Sequence, residues 1–275
     1  MFKRIGLAGI IGLILAIALG LGIPRALATS PLVVMQKAKG LPAVEASPQP
    51  AMLFAETPTS LAPTDFTVPS SVQIAQGAPN YLPREEVALA NPSNYGDRYL
   101  TDAYGRPIQN EFIAVLHETV GSARSAINLF QTYHPRDADQ VSYHTLIARD
   151  GTVIYIVPPE KRAYGAGNSV FEGPNGAETV VTNPDFPASV NNFAYHISLE
   201  SPADGRGNSR NHSGYTQAQY ESLAWLIART NIPDGRITTH KAVDRSGSRM
   251  DPRSFSRQNF LSLLHRYPSR QGLNR

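Results

Sequence analysis

Residues 142–158 read SYHTLIARDGTVIYIVP. Two apolar, β-branched runs flank Arg149-Asp150-Gly151, and Asp-Gly between such runs is a strong hairpin signal. Working outward, residues 111–119 (EFIAVLHET) form a short apolar run that ends in polar residues and predicts a buried strand. The next stretch, SARSAINLFQTYH, offers Ser122 as an N-cap, Ala126, Ile127, Leu129 and Phe130 as an apolar face, and Pro135 as a stop. Downstream, residues 191–201 (NNFAYHISLES) alternate as a strand does. TQAQYESLAWLIARTN predicts a helix opened by a Thr216/Gln219 capping box. RITTH (residues 236–240) reads as a short strand and SFSRQNFLSLLHRY as a last helix. Strands alternate with helices and a hairpin is included. The expectation is therefore one α/β domain over residues 85–270, a mixed central β-sheet flanked by helices, with a tail at 271–275.

The rest of the 275-residue chain is of another kind. Lys3 and Arg4 precede an apolar run over residues 5–23 that ends near Ala26-Leu27-Ala28. That layout predicts a signal peptide over residues 1–28, or an uncleaved membrane anchor through residues 5–23. Either way the remainder is expected to be exported, to the periplasm or cell envelope. Residues 29–84 are rich in Pro, Ala, Ser, Thr and Gln and read as a disordered linker, since frequent proline forbids helix interiors and central strands. Residues around 95–107 are expected to pack on the domain as an arm.

Composition removes several chemistries. No cysteine is present, which excludes disulfides, thiolate nucleophiles and iron–sulfur clusters. Any metal must be held by His, Asp or Glu. A net charge of +3, from 25 basic and 22 acidic residues, is too mild for a nucleic-acid partner. Of the seven histidines, His117 and His240 fall at the C-terminal ends of expected strands, where side chains of neighbouring strands meet over a cleft. Asp251 returns after a Gly-, Ser- and Arg-rich loop. Two imidazoles and a carboxylate make a zinc site with one open position, suited to water activation and amide or ester hydrolysis. On spacing alone, sites with His144 or His196 stay open, and a lone strand-end histidine is more often structural than a ligand.

The ordered set VLHET, SYHTLIARDGTVIYIVP, KRAYGAG, NNFAYHISLE and TTHKAVDRSGSRMDP resembles the zinc-dependent N-acetylmuramoyl-L-alanine amidases of the type-2 amidase and peptidoglycan-recognition-protein superfamily, over residues 108–268. The resemblance implies Zn2+ held by His117, His240 and Asp251, with peptidoglycan as substrate and the muramyl–L-alanine amide as the bond cut. It implies that Tyr143 orients the attacking water or the oxyanion. Arg249 stands where many members carry Lys, so charge stabilisation is retained and proton donation is not. Ser198 takes the place of an acidic residue that serves as base in recycling-type members, so either Glu200, one pleat further on the same face, reaches the site as base, or the chain follows the phage-type plan with Tyr143. Gly165 stands where relatives often carry a bulky or imidazole residue. Two alternatives accompany this reading: a non-catalytic peptidoglycan-binding module of the same fold, and another zinc peptidase of the cell wall.

His144 and His196 are assigned to packing and hydrogen bonding, and His134, His212 and His265 to the surface. Residues 168–189 and 202–214 are expected to be loops walling the substrate groove, with Arg206 and Arg210 as partners for substrate carboxylates.

Overall fold

The computed structural model describes residues 79–273. The signal or anchor segment and nearly all of the linker lie outside these residues, as do the last two residues of the tail. In chain order the elements are β1 (Glu85–Val87), β2 (Tyr95–Asp97), β3 (Ile113–Glu118), α1 (Ala123–Gln131), β4 (Thr145–Ile147), β5 (Val153–Tyr155), β6 (Lys161–Ala163), β7 (Phe171–Gly173), β8 (Gly176–Glu178), β9 (Ala194–Leu199), α2 (Gln217–Ala228), β10 (Ile237–Thr239), α3 (His240–Val243) and α4 (Arg257–Leu264). A six-stranded sheet runs β1-β5-β4-β9-β3-β10. The β4–β5 hairpin is antiparallel and the other pairings are parallel, so the sheet is mixed, as the sequence predicts. Among the described residues no helix is long and apolar enough to cross a membrane.

Every residue of β3 and β9 is buried, because helices cover both faces of the sheet centre. On one face Leu116, Ile197 and Leu199 pack with Leu223, Ala224 and Ile227 of α2 and with Phe260 and Leu264 of α4. On the other, Leu146, Ile154 and Ile156 pack with Ala126 and Phe130 of α1. The helix starts match the expected caps. Ser122 Oγ accepts from Ser125 N at 3.1 Å. Thr216 and Gln219 close a reciprocal box, at 3.1 Å and 3.0 Å. At the hairpin tip Gly151 has φ +88°, and a Cβ there would lie 2.7 Å from the Tyr81 hydroxyl, so conformation and space both require glycine.

Three features extend the sequence reading. Tyr81, in the stretch assigned to the linker, bonds the Ala218 carbonyl at 3.1 Å and Ser222 Oγ at 2.7 Å. The expected arm at 95–107 is held by β2 pairing with β6 and by the Arg98 guanidinium. Arg98 donates to the carbonyls of Asn192 at 2.8 Å and Ala194 at 3.0 Å. Burial, then the nearby Arg162 charge, lowers its pKa to about 9. The segment 168–189, expected as a loop, contains the β7–β8 hairpin, and buried Phe171 and Val180 fasten it to the sheet. Its apolar residues are too sparse for a period-2 pattern.

Candidate metal centre

His117 is the penultimate residue of β3, and β10 lies beside it with Thr239 paired to Leu116. His240 follows Thr239 and opens α3, so the sheet register sets the two imidazoles side by side, with ring centroids 4.6 Å apart. Asp251 arrives from the chain after α3, its carbonyl accepting from Lys241 N at 2.9 Å. Asp251 Oδ2 lies 3.3 Å from His117 Nδ1 and 3.1 Å from His240 Nδ1. One donor atom from each residue lies within 4.8 Å of the others.

This set fits a zinc ion. Tetrahedral N/O ligands about 2.0–2.1 Å from a metal stand roughly 3.3 Å from one another, close to both separations. His117 Nδ1 is buried without a hydrogen-bond partner, a cost that a cation would remove. Protonation states also suit a cation. Burial holds His117 neutral, with its pKa lowered to about 4 against the opposing pull of Asp251. Burial would raise the Asp251 carboxyl, but the two imidazoles outweigh it and hold the carboxyl well below the usual range.

Tyr143 stacks on His117, with centroids 4.3 Å apart and planes 27° apart. Burial, reinforced by the Asp251 charge, raises its pKa, so the hydroxyl keeps its proton at neutral pH. Arg249 is exposed, and its charge opposes protonation of His117. Asp244 orders the loop that carries it. Oδ1 of Asp244 accepts from Ser246 N at 3.0 Å, while Oδ2 accepts from Ser248 N at 3.0 Å and Arg249 N at 3.1 Å. Ser198 sits opposite His117 in the β3–β9 register, buried, its hydroxyl without a partner.

Glu200 is not brought to this centre as a free base. Its Oε1 accepts from Ala123 N at 2.9 Å and its Oε2 from Arg149 N at 3.0 Å. The carboxylate thus caps the first turn of α1 and anchors the hairpin loop, a favourable place for negative charge. The expectation for Glu200 rested on the family resemblance and on strand periodicity, and neither shows the competing backbone donors.

A family model described as N-acetylmuramoyl-L-alanine amidase matches residues 107–254. The chain belongs to that family. It is 34% identical over 93 residues to the 1,6-anhydro-N-acetylmuramyl-L-alanine amidase AmpD of Salmonella typhimurium. That alignment covers 34% of this chain and only 38% of the Salmonella protein. Among solved structures, a selenomethionine derivative of AmpD is similar at 25% identity and a TM-score of 0.47, covering 67% of this chain and 96% of that one. The solution structure of Citrobacter freundii AmpD is similar at 26% identity and a TM-score of 0.39, covering 66% and 90%.

Next to the candidate metal centre of this family member lies a network that the sequence did not reveal. Glu118, next to His117, is 3% exposed. It accepts from Arg253 Nε, from His212 Nε2 at 2.9 Å and from the Tyr215 hydroxyl at 2.9 Å. Arg253 stands two residues beyond Asp251 and also donates to the carbonyls of Gly205, Gly207 and Ser209. His212 was expected at the surface, but its side chain is buried against Glu118, with Nδ1 accepting from Gly214 N at 3.0 Å. A charged residue inside an apolar strand was the available signal, since a buried carboxylate needs partners. The partners themselves lie about a hundred residues away and carry no local signature. Arg206 and Arg210, on the same loop, are exposed.

Among the described residues, the non-glycine positions with positive φ are Val120 (56°) and Ser254 (53°). Each lies three residues past a candidate ligand, where backbone strain of order 1–3 kcal/mol is held by surrounding bonds. Val120 N donates to Ser201 Oγ at 2.9 Å, and Ser254 Oγ accepts from His212 N at 3.0 Å.

Proposed function

We propose that this chain is an exported peptidoglycan hydrolase cutting the amide between N-acetylmuramic acid and the L-alanine of the stem peptide, with His117, His240 and Asp251 holding zinc. The observation that carries the reading is the convergence of the three donors in a muramoyl-amidase family member, with Asp251 Oδ2 3.3 Å and 3.1 Å from the two imidazole nitrogens. The Salmonella relative, a 1,6-anhydro-N-acetylmuramyl-L-alanine amidase, supports the same bond. Export rests on Lys3, Arg4, the apolar run over residues 5–23 and Ala26-Leu27-Ala28.

Bound at these residues, zinc supplies Lewis acidity toward the amide carbonyl and makes water a competent nucleophile near neutral pH. The chain's own groups do the rest. A neutral His117 and an ionised Asp251 are ready as ligands at pH 7. The protonated Tyr143 hydroxyl donates a hydrogen bond to the developing oxyanion. Arg249 adds a fixed positive charge and transfers no proton near neutral pH. Glu200 keeps its two backbone bonds and stays outside the proton path.

The test is to measure zinc in the purified chain and weigh the products released from purified cell wall. Intact stem peptides beginning with L-alanine are expected. Bound zinc without release would make the chain a binding module, and fragments cut within the stem would make it a peptidase. Asp251→Ala is expected to lose both zinc and release, and persistence of both would refute the ligand set. Finding the mature chain only in the cytoplasmic fraction would refute export.

A further inference from the structure

His196 has no part in the chemistry above, yet it touches a candidate ligand directly. It lies on β9, fully buried, with Nδ1 2.9 Å from His117 Nε2. For His117 to offer the lone pair of Nδ1, its proton must sit on Nε2 and be donated, and His196 Nδ1 is the acceptor at that position.

The His196 ring is wedged in place. Its backbone N donates to His144 Nδ1 at 3.0 Å, and the two rings stack 5.8 Å apart with planes 11° apart. His144 is tied in turn to the Lys161 carbonyl at 3.1 Å. On another side stands Gly165, in the chain that continues from β6. A Cβ built at Gly165 would fall 2.6 Å from Cγ and Nδ1 of His196 and 2.9 Å from Cε1. Those distances are far inside van der Waals contact, and the obstacle is a packed ring that His144 and His117 hold. The Gly165 φ lies outside the left-handed region, so space alone accounts for glycine here.

We propose that His196 is a positioning residue that fixes the His117 ring for metal binding, and that residue 165 is glycine because the His196 ring fills the volume a side chain would take. The proposal rests on the metal reading above. It assigns a function to two buried residues outside the ligand set.

The experiment titrates the full, metal-free chain with zinc by chelator competition. Cobalt(II) replaces zinc in a parallel series, so that its visible spectrum reports ligand geometry. His196→Ala removes the acceptor and is expected to weaken zinc about 10- to 100-fold. Gly165→Ala should weaken it in the same direction by displacing the ring, and both variants should alter the cobalt spectrum. His196→Asn returns an acceptor oxygen near the Nδ1 position and is expected to recover most of the affinity. In Gly165→Ala/His196→Ala the ring is gone, so the loss should equal that of His196→Ala alone. Thermal melts of the metal-free variants identify those that fold, and Gly165→Ala and His196→Asn carry the test if His196→Ala does not. Wild-type affinity and spectrum in His196→Ala, or in a folded Gly165→Ala, would overturn the proposal and leave the metal reading standing. A wild-type chain that binds no zinc would overturn both.

Discussion

His117 and Asp251 face each other across 3.3 Å, yet different kinds of structure hold them. His117 belongs to a fully buried strand hydrogen-bonded to β9 on one side and β10 on the other. Its place follows from sheet register and from apolar neighbours such as Val115 and Leu116. Asp251 sits on no strand. Its place follows from polar bonds: Lys241 N to its own carbonyl, Asp244 gathering residues 246–249, and Arg253 gripping Glu118. Many small packing contributions set the strand side. A few charged groups set the loop side, so a substitution that unpairs a buried charge there should have a large effect and one that frees exposed loop amides a small one.

The largest effect expected is from Glu118→Ala, which leaves the Arg253 guanidinium buried without its carboxylate. Breaking such a pair costs about 3–5 kcal/mol. Urea unfolding of the metal-free chain should show a loss of that order, accompanied by weaker zinc binding. A loss below about 1 kcal/mol would remove the contrast between the two sides, since a surface pair is worth that little. Next is Tyr143→Phe, two residues before β4 and stacked on His117. Turnover of cell wall is expected to fall about a hundredfold, the usual consequence of losing one oxyanion donor, with zinc retained. Unchanged turnover would take Tyr143 out of the chemistry.

A smaller effect separates the sides by pH. Burial, then the Arg98 charge, holds His144 neutral, with its pKa far below the ordinary value. An unfolded histidine titrates near pH ~6.5. Below that pH the unfolded chain takes up a proton that the folded chain refuses, so stability falls with acidity and is flat above about pH 7. Each such histidine adds up to about 1.4 kcal/mol per pH unit. Denaturation midpoints between pH 7.5 and 5, with and without His144→Gln, measure the slope, and an identical slope in the variant would remove His144 as a source. The smallest effect is expected from Asp244→Ala. Losing bonds to exposed loop amides should cost about 1 kcal/mol, with turnover lowered more than zinc affinity. Retained turnover would show that Arg249 needs no fixed loop.

The strand side was largely legible. Apolar runs and capping residues marked β3, β9, α1 and α2 to within a few residues, and strand ends pointed to His117 and His240. Asp251 was an open candidate among other sites until the family resemblance singled it out, and Tyr143 rested on the resemblance, because no local spacing joins either to a strand histidine. The Glu118–Arg253 pair was beyond reach, since the two residues are separated by 135 positions. Glu200 shows a different limit of reading strands. It lies just past the end of β9, and the amides of Ala123 and Arg149 hold its carboxylate.

The grip of Arg253 on the carbonyls of Gly205, Gly207 and Ser209 has a mechanical consequence. Moving that stretch outward would cost the hydrogen bonds it accepts from Arg253, whose guanidinium is held by buried Glu118. The loop at residues 205–209 is thereby coupled to the β3 strand end that carries His117.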